Sequence, residues 1–373
     1  SDHTILAEVA SPRYPEARGR LARFAELAKT PEHVHTYRLT PLSVWNACSA
    51  GMAAEAMVAA LTEFVKYPIP DTVVADIREW AGRYGKVRLE RDGPRLRLSV
   101  AESGLAARLP RESTVAPFLG EALALDAFAV APGHRGHLKQ SLIKLGYPVE
   151  DVAGYTPGTP LSISLRPRTH DGREFALRDY QREAADIFHA GGTDRGGSGV
   201  IVLPCGAGKT IVGMACMAAV GARTLILSTS QTAVRQWREE LLDKTFLSPE
   251  AIGEYTGAAK EIRPITVATY QILTWRADAA GDFAHLGLFD QADWGLIVYD
   301  EVHVLPAPLF RMTAGLQARR RLGLTATLVR EDGREDDVFA LIGPKKYDVP
   351  WKDLEHQGWI AKAACHEIRL PLP

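Results

Sequence analysis

The main domain is specified by one stretch near the middle of the chain, Val200-Ile201-Val202-Leu203-Pro204-Cys205-Gly206-Ala207-Gly208-Lys209-Thr210. Its first four residues form a continuous aliphatic run, which is typical of a strand buried in a parallel sheet. A glycine-rich turn follows, and residues 211–220 have the composition of a helix. Strand, glycine-rich loop and helix in this order are the context that a phosphate-binding loop requires. The predicted fold class is therefore α/β, with a parallel sheet and flanking helices.

The loop itself indicates how a nucleotide would be held. Gly206 and Gly208 let backbone N–H groups turn towards phosphates, Lys209 can reach the β and γ phosphates, and the Thr210 hydroxyl can hold magnesium. Leu203 stands where the first glycine of this motif is usual. The predicted phosphate-binding residues are Pro204, Cys205, Gly206, Ala207, Gly208, Lys209 and Thr210.

A second apolar run, residues 294–299, leads directly into Asp300-Glu301-Val302-His303. Carboxylates at the carboxyl end of a buried strand point into the crevice where α/β sheets bind ligands. We expect Asp300 to hold magnesium and Glu301 to orient and deprotonate the attacking water. An Asp-Glu pair alone is weak evidence, because acidic residues often cap turns. Its position after a phosphate-binding loop makes the evidence strong.

Leu322-Gly323-Leu324-Thr325-Ala326-Thr327 predicts a short strand that ends in two hydroxyl groups, although it could be only a threonine-rich core strand. With Lys209, Asp300-Glu301 and this segment in the same order, the sequence resembles superfamily 2 helicases, in which they correspond to motifs I, II and III. The resemblance implies a RecA-like motor domain that uses ATP and magnesium. The implied coupling residues are His303, Thr325, Ala326 and Thr327.

Other segments agree with this resemblance. Residues 177–181 resemble the adenine-recognising Q motif, which implies that Arg178 and Gln181 bind ATP and that Gln181 contacts the base. Residues 225–230, continuing to Gln236-Trp237, and residues 265–271 resemble the DNA-facing motifs, which implies DNA contacts at Ser230 and Thr269.

The Arg330-Glu331-Asp332 element narrows the resemblance to the XPB family of DNA repair and transcription helicases. That family implies a 3′ to 5′ ATP-dependent DNA helicase or translocase, with DNA at a single-stranded/duplex junction as its partner. Arg330, Glu331 and Asp332 would then help to separate strands. A nuclease or a repair-complex protein is a further implied partner.

Three domains and the start of a linker are expected. Residues 1–104 predict a helical, winged-helix-like domain, with helices at 41–67 and 71–84 and a hairpin at 86–100. The basic side chains of this hairpin either contact nucleic acid or are solvated surface. Residues 105–164 predict a small α+β domain and a linker. The resemblance implies that this region is the counterpart of a damage-recognition domain. Residues 165–350 predict the motor domain. Residues 351–373 would begin the linker to a second RecA-like domain, which we expect this chain, as the N-terminal half of a longer helicase, to lack.

Composition excludes several other classes of protein. Lys and Arg total 44 against 45 Asp and Glu, so the chain is neither a basic tail nor a solvating acidic protein. No apolar run approaches the ~18 residues that cross a bilayer, and we expect a cytoplasmic protein without membrane contact. The four cysteines lack the spacing of a disulfide framework, a zinc ribbon or an iron-sulfur cluster.

Two alternatives to the DNA helicase stay open at this stage. Half a motor could bind DNA and partner proteins without catalysis, because the arginine finger that completes such a site would come from the second domain. An RNA helicase is the other, since many superfamily 2 members act on RNA.

Overall fold

The computed structural model describes residues 3–29, 31, 33–193, 196–276, 284–289, 291–306, 309, 319–327 and 335–361. Arg330, Glu331 and Asp332 lie outside the described residues, so their predicted role in strand separation stays a prediction. Residues 362–373 of the expected linker also lie outside them.

The first unit, residues 3–83, combines helices with a small sheet. Its elements are β1 Thr4–Glu8, α1 Tyr14–Leu21, β2 Glu26–Lys29, β3 Val34–Arg38, α2 Pro41–Ser49, α3 Ala54–Phe64 and α4 Asp71–Arg83. The three strands are antiparallel in the order β1-β3-β2. The sequence analysis did not predict this small sheet, because strands of four or five residues are too short to give a clear alternation in the sequence.

The predicted helix over residues 41–67 is two helices that meet at an angle of 114°. Gly51 takes φ +88°, a left-handed conformation that ends α2, and the Met52 amide donates back to the Ala47 carbonyl at 2.9 Å. Among the described residues, no single helix has the length and apolar composition to span a membrane, while this bent pair meets those two criteria.

The second unit is built around the predicted hairpin. Its elements are β4 Val87–Asp92, β5 Arg95–Val100, α5 Ser103–Arg108, β6 Ala122–Ala124, β7 Ala127–Val130, α6 Arg135–Lys144 and β8 Val149–Asp151. The strands form one five-stranded sheet in the order β6-β7-β5-β4-β8.

This sheet corrects the winged-helix prediction. The hairpin pairs with β7 and β8, and its buried face packs in one core with α6, whereas α4 packs in the core of the first unit. The hairpin therefore belongs with the residues that follow it, and the boundary expected at residues 104/105 falls inside the second unit. The error arose because a hairpin is visible locally but its sheet partners are distant in sequence.

The third unit contains the expected motor domain and is called the motor unit. Its helices are α7 Asp179–His189, α8 Lys209–Val220, α9 Gln231–Lys244, α10 Tyr270–Leu273, α11 Glu335–Leu341 and α12 Trp351–His356. Its strands are β9 Ser198–Val202, β10 Thr224–Ser228, β11 Ile252–Tyr255, β12 Ile265–Thr269, β13 Leu296–Asp300, β14 Arg320–Thr325 and β15 Lys345–Asp348. They form a seven-stranded parallel sheet in the order β11-β12-β10-β13-β14-β9-β15, which confirms the predicted α/β fold.

The segment that joins the second unit to the motor lies along the motor rather than in solvent. The Thr159 amide donates to the Asp293 carbonyl at 3.0 Å, and the Leu161 amide donates to the Gly221 carbonyl at 2.9 Å. A Cβ atom added to Gly158 would lie 2.3 Å from the Cα atom of Gly295, so only glycines allow the two backbones to approach this closely.

A buried charge cluster joins the same two units. Asp151 accepts two hydrogen bonds from the Arg135 guanidinium, at 2.7 and 2.9 Å, and lies 3.0 Å from Lys139 Nζ. The Tyr155 ring lies under both Arg135 and Arg321, a fully buried arginine on β14. The second unit is therefore anchored to the strand that ends in Thr325.

Candidate nucleotide-binding site and DNA-facing groove

The phosphate-binding loop connects β9 to α8 at the carboxyl edge of the motor sheet. Gly206 and Gly208 take φ +80° and +78°, conformations that favour glycine, and the helix begins at Lys209. Backbone amides at the start of a helix are positioned to donate to an anion. Thr210 lies in the first turn of α8 and is partly buried. The structure thus places the predicted loop residues together in a shape suited to phosphates.

Lys209 and Glu301 contact each other directly. Lys209 Nζ lies 2.9 Å from Glu301 Oε1, and both side chains are partly exposed. A triphosphate in the loop would compete with this ion pair for the lysine, because phosphate oxygens are strong acceptors of charged hydrogen bonds. Binding of the phosphates would therefore release the Glu301 carboxylate from the lysine.

Asp300 lies at the end of β13 and is held by two donors. Its Oδ2 atom accepts hydrogen bonds from Trp237 Nε1 at 2.9 Å and from Ser228 Oγ at 3.0 Å. Burial raises the pKa of Asp300, and these two hydrogen bonds oppose that shift. Because both bonds fall on Oδ2, the Oδ1 atom is the oxygen left for a metal ion.

Glu301 adopts a conformation that is uncommon for a residue with a side chain. Its φ and ψ are +48° and +54°, in the left-handed region, at a cost of roughly 1–3 kcal/mol. Its Oε2 atom is buried without a hydrogen-bond partner among the described residues and lies 3.4 Å from His303 Nδ1. This geometry turns a second carboxylate towards the loop directly after Asp300.

His303 connects motif II with motif III. Its Nδ1 atom lies 2.7 Å from Thr325 Oγ1, and Thr325 Oγ1 in turn bonds the backbone of Thr327. Ala326 lies between the two threonines at the end of β14. Three of the four predicted coupling residues, His303, Thr325 and Thr327, therefore form one chain of contacts that starts at Glu301.

The predicted Q motif lies against the phosphate-binding loop. Gln181 is 3% exposed, its Nε2 atom donates to the Ala207 carbonyl at 3.2 Å, and its Oε1 atom accepts from the Arg178 amide at 3.1 Å. The Tyr180 hydroxyl also donates to Ala207, at 2.7 Å. Both ends of the Gln181 amide are thus engaged by the protein, and its contact with a base stays a prediction.

Ser230 and Thr269 lie beside each other on one shallow groove. Ser230 follows β10, and Thr269 is the last residue of its parallel neighbour β12. Each side chain caps the start of the helix that follows, α9 for Ser230 and α10 for Thr269. Gln271 and Trp275 line the same cavity of about 400 Å³, and Trp275 is 49% exposed. An aromatic ring beside helix N-termini suits a nucleic acid strand, which offers both bases and phosphates.

The basic hairpin of the second unit is largely neutralised by acidic neighbours. Lys86 lies 2.9 Å from Glu102, and Arg95 pairs with Asp92 and Glu121. These exposed pairs leave less positive charge for phosphates than the sequence alone indicates. The prediction that the hairpin contacts nucleic acid stays untested.

Three aromatic residues of the site escaped the sequence analysis. Trp237 supports Asp300, Tyr180 supports the loop, and Trp275 lies in the groove. Trp237 and Tyr180 fall inside the quoted motif segments, so their position gave a signal, but the hydrogen bonds of their polar atoms depend on tertiary packing.

The residues present suit a nucleotide and a magnesium ion. The suitable features are the turn at Gly206 and Gly208, the Lys209 ammonium group, and two carboxylates with oxygens not engaged in hydrogen bonds. Carboxylate and hydroxyl oxygens are the ligands that magnesium prefers.

Two family models match parts of the chain. One, described as "Helicase conserved C-terminal domain", matches residues 1–124, and the other, described as "Type III restriction enzyme, res subunit", matches residues 174–330. The second match contains the phosphate-binding loop and all three motifs of the motor.

Several curated proteins are similar along the whole chain. A protein named DNA 3'-5' helicase XPB from Kineococcus radiotolerans is 56% identical over 374 residues, which cover 100% of this chain and 65% of that relative. The protein of the same name from Mycobacterium tuberculosis is 52% identical and covers 100% of this chain and 66% of the relative. A general transcription and DNA repair factor IIH helicase/translocase subunit XPB from Antonospora locustae is 33% identical over 98% of this chain and 54% of its own length.

The chain thus spans just under two thirds of the length of the two bacterial relatives that it matches. Those two relatives are each more than half identical to it from end to end, and the motifs that carry the resemblance lie together at one edge of the motor sheet. The chain belongs to the XPB family of superfamily 2 DNA helicases.

Proposed function

We propose that this chain contains the nucleotide-binding motor lobe of an ATP-dependent DNA helicase or translocase that moves 3′ to 5′. The observation that carries the proposal is the contact between Lys209 and Glu301 at the carboxyl edge of the sheet, with Asp300 beside them. Helicases couple nucleotide hydrolysis to movement, and these are the groups that such hydrolysis needs. The relatives named DNA 3'-5' helicase XPB support the substrate and polarity.

The proposed roles follow the geometry. Lys209 binds the β and γ phosphates, Asp300 and Thr210 hold magnesium, and Glu301 accepts the proton of the attacking water. Magnesium, when bound, neutralises charge that develops on the phosphates. Because Glu301 Oε2 is buried and faces His303, movement of the carboxylate on nucleotide binding would be felt at Thr325 through the His303 contact.

The proposed DNA path crosses the groove of Ser230 and Thr269. Phosphates would approach the helix N-termini that these two residues cap, and Trp275 would stack on a base. The partner would be a single-stranded/duplex junction, and a nuclease or a repair complex is the proposed protein partner.

The division of the chain into units is also a proposal. We propose units of residues 3–83, 87–154 and 165–361, since each has its own sheet and the first two have hydrophobic cores of their own, while Trp45 and Ile143 pack against the core of the third. The second unit takes the place of the proposed damage-recognition domain. The expected cytoplasmic location stays a prediction.

One alternative has a specific observation in its favour. Lys209 and Glu301 form an ion pair, so neither side chain is available for a nucleotide or a water molecule while the pair persists. This lobe can therefore be inactive until a nucleotide or a second lobe rearranges the pair. The chain would then bind DNA and partners without turnover. An RNA helicase is the other alternative, and the assay below includes RNA to distinguish it.

The test is ATP hydrolysis by this chain and by the longer protein, each with and without single-stranded DNA, duplex junctions and RNA. We expect the longer protein to be stimulated by DNA and not by RNA, and Glu301→Gln to retain binding of magnesium and ATP while losing hydrolysis. Stimulation by RNA alone would favour an RNA helicase. Wild-type hydrolysis by Glu301→Gln would show that another residue is the base.

A further inference from the structure

The segment after the last motor strand returns to the nucleotide-binding loop. Helix α12 packs Leu354 into the motor core, and the chain then turns so that Ile360 lies beside the loop. A Cβ atom added to Gly206 would lie 3.9 Å from Ile360 Cγ2. The neighbouring residue Trp359 is therefore close to any nucleotide whose phosphates occupy the loop.

Trp359 is held beside the Q motif in a specific arrangement. The Arg178 guanidinium lies over its ring at 4.6 Å from the ring centre, and Arg178 Nη1 also donates to the Trp359 carbonyl at 3.4 Å. Arg178 is in turn hydrogen bonded to Tyr180, whose hydroxyl donates to Ala207 of the loop. A continuous set of contacts thus connects the indole to the phosphate-binding loop.

The indole is also available to a ligand. Trp359 is 45% exposed, although it is packed on an arginine and its carbonyl is hydrogen bonded. The Gln181 amide, in contrast, is buried and engaged at both ends. Within the part of the chain that the structure describes, Trp359 and Arg178 therefore offer planar groups at this end of the loop.

We propose that Trp359, supported by Arg178, stacks on the base of the bound nucleotide and is a base-binding residue of this site. The inference rests on the proposed nucleotide-binding function and adds a residue from outside the helicase motifs. Aromatic and guanidinium planes attract bases by stacking, and every base offers such a face.

The test compares ATP with inorganic tripolyphosphate, which has the phosphates but no base. Calorimetric titrations in magnesium would use the wild type, Trp359→Ala, Trp359→Phe and the control Phe246→Ala. Phe246 is a matched control, because its ring is exposed and lies under the guanidinium of an arginine, Arg166. It is far from the loop in the sequence, and its backbone amide donates to the Ser164 carbonyl of the joining segment.

We expect Trp359→Ala to weaken ATP binding about tenfold while tripolyphosphate binding is unchanged, since stacking on one base has this magnitude. Trp359→Phe should restore most of the ATP affinity, and Phe246→Ala should match the wild type.

Three results for Trp359→Ala would overturn the inference. The first is wild-type affinity for ATP, and the second is tighter binding of ATP, which would mean that the ring covers the site. The third is an equal loss of affinity for ATP and for tripolyphosphate. Lys209→Ala separates this inference from the proposed function. If Lys209→Ala retained wild-type affinity for both ligands, the proposed site itself would be wrong, whatever Trp359 does.

Discussion

Gly208 offers a prediction whose size follows from the structure. Its φ of +78° is a conformation that costs an alanine about 1–2 kcal/mol relative to glycine. A Cβ atom there would also lie 2.7 Å from Gln181 Nε2. Because Gln181 is buried and hydrogen bonded at both ends of its amide, it cannot move away without losing its bond to Ala207.

A buried amide left without a partner costs about 1–3 kcal/mol, so we expect Gly208→Ala to destabilise the protein by about 2–5 kcal/mol in total. Gly206→Ala is the matched comparison. It has nearly the same φ, +80°, but its Cβ would meet only Ile360 at 3.9 Å, so the loss should be about 1–2 kcal/mol.

The assay is urea denaturation of both variants, with Gly221→Ala as a control for strain outside the loop. Gly221 has φ +62° and open space around its Cβ position, apart from the Leu161 carbonyl at 3.8 Å. ATP binding should fall in both loop variants and be retained in Gly221→Ala. An equal loss of stability in Gly206→Ala and Gly208→Ala would refute the reasoning, because it would show that the Gln181 contact contributes nothing.

Three further predictions concern charged groups. Burial raises the pKa of Asp300, so the ionised carboxylate costs stability at pH 7, and Asp300→Asn should raise the melting temperature there and lose magnesium-dependent ATP binding. The stability advantage of the variant should shrink as the pH falls through the raised pKa and be gone below the ordinary value of 3.8, where the wild-type carboxyl is protonated in both the folded and the unfolded state. Trp237→Phe removes a hydrogen bond that lowers the pKa of Asp300, so the acid limb of magnesium-ATP binding should move to higher pH; an unchanged pH profile would show that the bond does not tune the carboxylate. Burial alone would raise the pKa of Asp151, but Lys139 and Arg135 hold this pKa below its ordinary value. Asp151→Asn should therefore lower the free energy of unfolding by about 3–5 kcal/mol at pH 7 in urea denaturation. The wild type should lose this stability as the pH falls below 3.8, because the carboxyl group of the unfolded chain is then protonated.

Much of the motor could be predicted from the sequence because its signals are local. A buried strand followed by glycines and a lysine specifies both the loop and the helix, and Asp300 ends its strand as expected. Parallel strands bring their carboxyl ends to one edge, so separate motifs were expected to meet, and the His303 to Thr325 contact is an instance of this.

The N-terminal half was less predictable because its organisation depends on long-range pairing. The hairpin was visible, but β7 and β8 that complete its sheet are separated from it by loops and helices. The break at Gly51 was missed because apolar periodicity continues on both sides of it. Contacts such as Arg178 on Trp359 join residues far apart in sequence, and no local pattern indicates them.

The measurement that tests the central claim most directly is calorimetric titration of magnesium-ATP into this chain and its Lys209→Ala variant. Lys209 supplies the positive charge beside the loop, and charged hydrogen bonds are worth about 1.5–3 kcal/mol each, so the variant should bind ATP at least about tenfold more weakly. The variant should otherwise unfold at a similar urea concentration, since its partner Glu301 is partly exposed. Wild-type affinity in a folded Lys209→Ala protein would contradict the account, because the nucleotide would then lie elsewhere.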